Sequence, residues 1–196
     1  MKKMILLFLV MMCVLCSAGC SGDSSEPQGN QNEMYIMPSQ FSEETMEVLE
    51  VLDHELQFFD ISINDTAKSH TVSVWVYRDG EWHEDGKTYG ETKFLGDRLG
   101  IKLTSTSCEL ISMDENGHTR MDYPVLDTSF DETTSSVEWR LRDKRTIALN
   151  KEVPLWVIAG SEDGNFQFYT SEENFRQAEC EAGVAVTITI SDEEVR

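Results

Sequence analysis

"TVSVWVYRDGEW", residues 71–82, carries two signals that together decide the fold. Val72, Val74 and Val76 fall on one side of an extended chain, and Ser73, Trp75 and Tyr77 fall on the other. Side chains alternate between the faces of a strand, so a valine at every second position marks one buried face. The run stops at Asp79-Gly80, a pair that accepts the positive backbone dihedrals of a tight hairpin turn, and an aromatic arm resumes at Trp82. A strand, a turn and a returning strand are written into twelve residues.

The same alternation recurs outward in both directions. Phe59, Ile61 and Ile63 alternate with Asp60 and Ser62, and Leu99, Ile101 and Leu103 with Gly100 and Lys102. Further on, Val137, Trp139 and Leu141 form one series, and Val184, Val186, Ile188 and Ile190 another. "VPLWVIA" (153–159) is apolar on both faces, as a strand covered on both sides must be. Asn116-Gly117 is a second hairpin signal, and "GSEDGN" (160–165) a third, weaker one. Parallel βαβ winding needs a helix between successive strands, and the chain has no room for them. The expected class is therefore all-β: an antiparallel β-sandwich, immunoglobulin-like or jelly-roll-like, with one or two short helices.

One helix is expected in "FSEETMEVLEVLDHEL" (41–56), capped by Ser42, with Val48, Leu49, Leu52 and Leu56 along one face. A second, shorter one is expected to open on the capping box Thr170 and Glu173 and to close at Gly183.

Residue types that carry chemistry are present without the spacing that chemistry needs. His54, His70, His83 and His118 form no paired metal-ligand motif, and His83 and His118 fall in or beside predicted turns. Ser161 follows Gly160 but lacks a nucleophile elbow, and "GETKFLGDRLG" is no phosphate cradle. The acidic turns "MDENG" and "SEDGN" do not match a spaced calcium loop. No catalytic residue, metal ligand or cofactor is expected. The one group suggestive of binding is aromatic: Trp75, Tyr77 and Trp82 would share one sheet face, as a platform for a sugar or protein partner or beneath a covering helix or loop. Cys108 and Cys180 lie 72 positions apart. They either remain thiols or close a disulfide, contributing about 4 kcal/mol in the loop-entropy account.

The chain's start says where it works. Lys2 and Lys3 precede an uncharged run of twelve residues, Ile5 to Cys16, whereas a membrane-spanning helix needs about 20. A charged start, a short apolar stretch and small residues describe an export signal. Ala18 and Gly19 stand just before Cys20, and this end of the signal resembles the lipobox of bacterial lipoproteins; Ser17 departs from the leucine usual there. The resemblance covers residues 1–20 only. It implies cleavage after residue 19 and a diacylglycerol thioether on Cys20, two chains being enough for stable anchoring. Ser, Gly, Asp, Pro, Gln and Asn dominate residues 21–33, a coil reaching roughly 20 Å. The expected organisation is a signal peptide at 1–19, a lipidated cysteine and tether at 20–40, and one β-sandwich domain at 41–196.

With 36 acidic against 16 basic side chains the formal charge is −20. Such a body is repelled by nucleic acid phosphates and anionic lipid headgroups, which excludes a nucleic acid partner and leaves the lipid as its hold on the membrane. The reading is an exported protein, lipid-anchored to the outer face of a bacterial membrane, whose ectodomain binds a glycan or protein partner without catalysis. The rival is a hydrolase of glycan or cell-wall polymer on the same scaffold, which would need two facing carboxylates in a concave pocket.

Overall fold

The computed structural model describes residues 33–52, 55–123, 130, 135–162, 174–177 and 180–195. The leader, Cys20, most of the tether, His54, Thr170 and Glu173 lie outside these residues. Two antiparallel sheets form the fold. The strands are β1 (Tyr35–Pro38), β2 (Leu56–Ser62), β3 (Ser69–Arg78), β4 (Glu81–Glu91), β5 (Arg98–Leu103), β6 (Cys108–Asp114), β7 (Gly117–Tyr123), β8 (Ser135–Arg140), β9 (Arg145–Thr146), β10 (Glu152–Ser161) and β11 (Ala182–Ser191). One sheet runs β7-β6-β5-β2-β1-β9 and the other β4-β3-β11-β10-β8. This is the all-β sandwich that the period-two runs predict. The sheet begins at Tyr35, where β1 pairs with both β2 and β9, so the folded part starts ahead of the boundary drawn at residue 41.

The valine series of β3 and the Val184–Ile190 series of β11 are buried, with at most 2% of any of these residues exposed. They face Phe59, Leu99, Ile101 and Leu103 of the six-stranded sheet in one apolar cluster. Each such side chain contributes roughly 1.5–3 kcal/mol when fully buried. Trp156 joins this core through a register shift between Pro154 and Trp156. Pro154 has no N–H to donate, so a bulge is where a covered strand tolerates it.

The turns form as the dihedral preferences require. Asp79 (φ 54) and Gly80 (φ 86) both take positive φ and join β3 to β4. At the β6–β7 turn, Asp114 Oδ1 accepts hydrogen bonds from the Asn116 and Gly117 N–H groups at 2.7 and 3.1 Å. His83 and His118 lie in β4 and β7, close after the turns that precede these strands. β4 is the strand expected to return after Asp79-Gly80; it is an edge strand, and much of its charged side-chain surface meets water.

Helix α1 (Glu43–Leu52) starts on Ser42, whose Oγ accepts from the Thr45 N–H at 3.3 Å. Its expected apolar face does not enter the core. Val48 is 55% and Val51 85% exposed, and Leu56 belongs to β2. Sheet closes on sheet, and among the described side chains of α1, which do not include Leu52, none joins the buried cluster. Near the chain's end the described helical piece is a 3-10 turn, Phe175–Gln177. Gly183 does not close a helix; it lies within β11. Cys108 and Cys180 are free thiols rather than a bridge. Cys108 is in the core between the sheets, whereas Cys180 lies beside Tyr77 and Trp82 at the outer aromatic patch of the five-stranded sheet.

A second 3-10 turn, Thr92–Phe94, carries the chain from β4 across to β5 through Leu95 and Gly96. Gly96 holds φ +76, and an added Cβ would stand 2.3 Å from the Met113 carbonyl oxygen. Gly96→Ala should therefore lower stability by at least the roughly 1–3 kcal/mol of a strained backbone, read as a reduced urea midpoint; an unchanged midpoint would show that this crossing does not constrain the fold.

Candidate functional site

The interior of the sandwich changes character towards one end. Two positions before Val72, on the same inner face of β3, stands His70; its partner on β4 is Gly90, and that of Val72 is Thr88. On the facing sheet, Ser112 succeeds Leu110 on β6, and Thr119 precedes Met121 on β7. Stacked sheets lie about 10 Å apart, a gap that large apolar side chains fill by interdigitating. Gly90, Ser112 and Thr119 are too short to meet across it, and Thr88 reaches only the longer side chains of Met121 and Tyr123 on β7. The gap stays open there as a cleft of about 510 Å³, floored by Leu95, Leu99 and Leu110 and bordered by the 3-10 turn that carries Phe94. Phe94 is 66% exposed at the rim.

His70 is the chemically distinctive member of this cleft. The residue is only 5% exposed, and its Nδ1 has neither solvent nor a hydrogen-bond partner. Burial holds its imidazole below the ordinary histidine range, against a smaller upward pull from a backbone hydrogen bond at Glu91. The side chain is thus neutral at pH 7 and offers a buried lone pair; a buried polar atom left unpaired costs about 1–3 kcal/mol. Ser112 and Thr88 are already engaged: Ser112 Oγ donates to the Leu95 carbonyl, and Thr88 Oγ1 shares a hydrogen bond with the Tyr123 hydroxyl. Among the described residues the one carboxylate lining the cleft is Asp114, and it is committed to the two N–H groups of its own turn.

Trp75, Tyr77 and Trp82 do share one face, the outer face of the five-stranded sheet, and they are half-buried. Tyr77 and Trp82 are cross-strand partners with ring centroids 5.5 Å apart. The indole of Trp82 lies over Gly183, where a Cβ would come within 2.6 Å of the ring. The cover is neither water nor α1. Phe175, 5% exposed, packs edge-on against Trp82 at 4.8 Å and reaches Trp75 at 6.2 Å.

The next residue, Arg176, places its guanidinium 3.9 Å above Trp75 and grips Glu152 with two hydrogen bonds of 2.6 and 3.0 Å. Glu152 also accepts from Thr187 Oγ1, which in turn accepts from the Trp75 N–H at 3.1 Å. The indole, the hydroxyl, the carboxylate and the guanidinium form a closed circuit around Trp75. Burial pushes the nearby Glu84 carboxyl up, but hydrogen bonds from Ser73 and Lys87 and the charges of Lys87 and Arg176 bring it net below its usual range.

The remaining candidates divide by burial. Ser161 is 3% exposed within β10, not at a turn apex. Burial pushes the Cys108 and Cys180 thiols up to about 12, so neither is a thiolate at neutral pH. Among the described residues no three His, Cys, Asp or Glu side chains converge as metal ligands, and no helix is long and apolar enough to cross a membrane. No protein family, no curated protein and no solved structure matches the chain.

The cleft escaped notice in the sequence because its parts are unremarkable singly. Its signal was nonetheless present: extending the valine series two positions back reaches His70, and extending the Leu110 series two forward reaches Ser112.

Two outcomes follow. Trp75→Ala should cost about 3 kcal/mol in urea unfolding, since it removes a covered indole and strands its hydroxyl partner; near-normal stability would mean that the Phe175–Arg176 cover does not hold in solution. For His70, the unfolded chain takes up a proton near pH 6.5 that the folded imidazole refuses. Stability should therefore fall as pH drops below about 6.5, with no His70 contribution above it. Comparing His70→Gln with the native chain at pH 7.5 and 5.5 isolates that part, and identical pH slopes in the two proteins would refute it.

Proposed function

We propose that this chain is an exported lipoprotein, fastened through Cys20 to the outer face of a bacterial membrane, whose β-sandwich is a non-catalytic binding module. The location rests on the leader: paired lysines, a short apolar run, Ala18-Gly19 and then Cys20 ahead of a tether too polar to fold. Two acyl chains offset a surface of charge −20 that would otherwise drift from anionic headgroups.

The observation that carries the binding role is the inter-sheet cleft. It combines an apolar floor with a few polar groups at fixed positions, the composition of a small-molecule site, and falls within their usual 300–1,000 Å³. Hydrolysis of a glycosidic bond would instead require two opposed carboxyl groups, one with its pKa raised. Among the described residues Asp114 lacks such a partner in the cleft, and the two carboxylates whose titration is displaced, Glu33 and Glu84, are both shifted down. These features favour recognition over hydrolysis.

Mass spectrometry of the native product tests the anchor: its first residue should be Cys20 bearing a diacylglycerol. Cys20→Ala should give an uncleaved or released protein. A mature chain starting elsewhere, or unaltered membrane fractionation of the variant, would overturn the proposal.

A further inference from the structure

We infer that Phe175 and Arg176 are a releasable cover, and that the trough beneath them is a docking site for a partner segment carrying an aromatic side chain next to a basic one. The trough lies on the outer face of the five-stranded sheet, apart from the inter-sheet cleft and independent of the anchor. Register places Trp139, Val157, Ala185 and Trp75 side by side across β8, β10, β11 and β3. Gly183, Tyr77 and Trp82 follow in the next row. Small side chains in the middle and indoles on both sides give an apolar floor with raised walls. Val157 and Ala185 are at most 1% exposed, because Phe175 packs on them.

Two observations separate the cover from the sheet it lies on. β10 and β11 stay paired up to Gly160 and Ala182, and the neck of their connection is closed by the Glu181 N–H on the Gly160 carbonyl and the Glu162 N–H on the Glu181 carboxylate. The ladder is complete without the cover. Among the described residues, the turn Phe175–Gln177 makes its backbone bond internally, from the Gln177 N–H to the Asn174 carbonyl at 2.9 Å, and its hydrogen bonds to the sheet come from the Arg176 side chain. An element held in this way opens at a lower cost than the paired strands beneath it. The present occupant shows what the trough selects. A ring fills the niche between Trp75 and Trp82, and a guanidinium stacks on Trp75 and is gripped by Glu152. A partner bearing an aromatic group and a cation side by side replaces both contacts, whereas an anionic or purely aliphatic segment does not.

Hydrogen exchange followed by NMR on the whole chain, in detergent, reads the release. The Trp75 indole N–H, bonded to Thr187, should exchange roughly tenfold or more faster than the β11 amides. Arg176→Gln should speed it by about a further tenfold, the scale of one lost charge-assisted hydrogen bond, and leave the β11 amides unchanged. Docking is read with the peptide acetyl-Asn-Phe-Arg-Gln-amide, the sequence of residues 174–177. It should bind saturably to the Phe175→Ala/Arg176→Gln double variant, shifting the Trp75 and Trp82 signals, and more weakly to the native chain, where the cover competes. The same peptide with alanine in place of phenylalanine should not bind. Trp75 exchange in step with the β11 amides, or a double variant that ignores the peptide, would overturn the inference. Loss of β11 protection in the double variant would overturn it too, since the cover would then be an inseparable part of the sheet.

Discussion

β11 has no exposed side, and the rest of the molecule is arranged around that fact. Val184, Val186, Ile188 and Ile190 press against the six-stranded sheet, while Ala185 and Val157 beside it are covered on the outer side by Phe175. A strand buried on both faces must have every backbone group paired within its sheet, because water reaches neither side. β3 and β10 supply that pairing along its length. The five-stranded sheet is therefore the rigid layer, and the six-stranded sheet closes over one of its faces.

Rigidity at the centre is combined with managed edges. β4 and β7 lie at neighbouring edges of the two sheets, linked by the Thr88–Tyr123 hydrogen bond. β4 carries Glu81, Glu84, Asp85, Lys87 and Glu91, and β7 carries Arg120 and Asp122. Charges along exposed edges oppose pairing with another chain. Between these two edges the interior opens as the cleft, in the same region that needs protection from aggregation. Short polar residues on the inner faces leave that space open without lining it with a continuous apolar seam.

The outer face of the five-stranded sheet shows how an aromatic group can be misread. Three large rings on one face suit a binding platform as well as they suit a covered layer. The deciding residues, Phe175 and Arg176, are almost a hundred positions away from Trp82 and carry no local signal connecting them to it. Contact between segments so far apart is a property of the closed fold. An arginine stacked on an indole and clamped by Glu152 is satisfied in charge and in geometry, and has little left to offer a ligand.

Local chemistry was sufficient for the strands, the Asp79-Gly80 and Asn116-Gly117 turns and the antiparallel class, because period-two burial and positive dihedrals are imposed residue by residue. It also supplied the acidic character of the chain. Sequence could not place the bulge at Pro154–Trp156, since a run apolar on both faces reads identically in either register. Nor could it show that α1 stays outside the core, that Cys108 and Cys180 occupy separate places in the sandwich, or that His70 faces short side chains across a gap. Each of these depends on what the opposite sheet or a distant segment places nearby. Alternation along one strand tells which side is inward; only the second sheet, set about 10 Å away, determines whether that inward space is filled or left open.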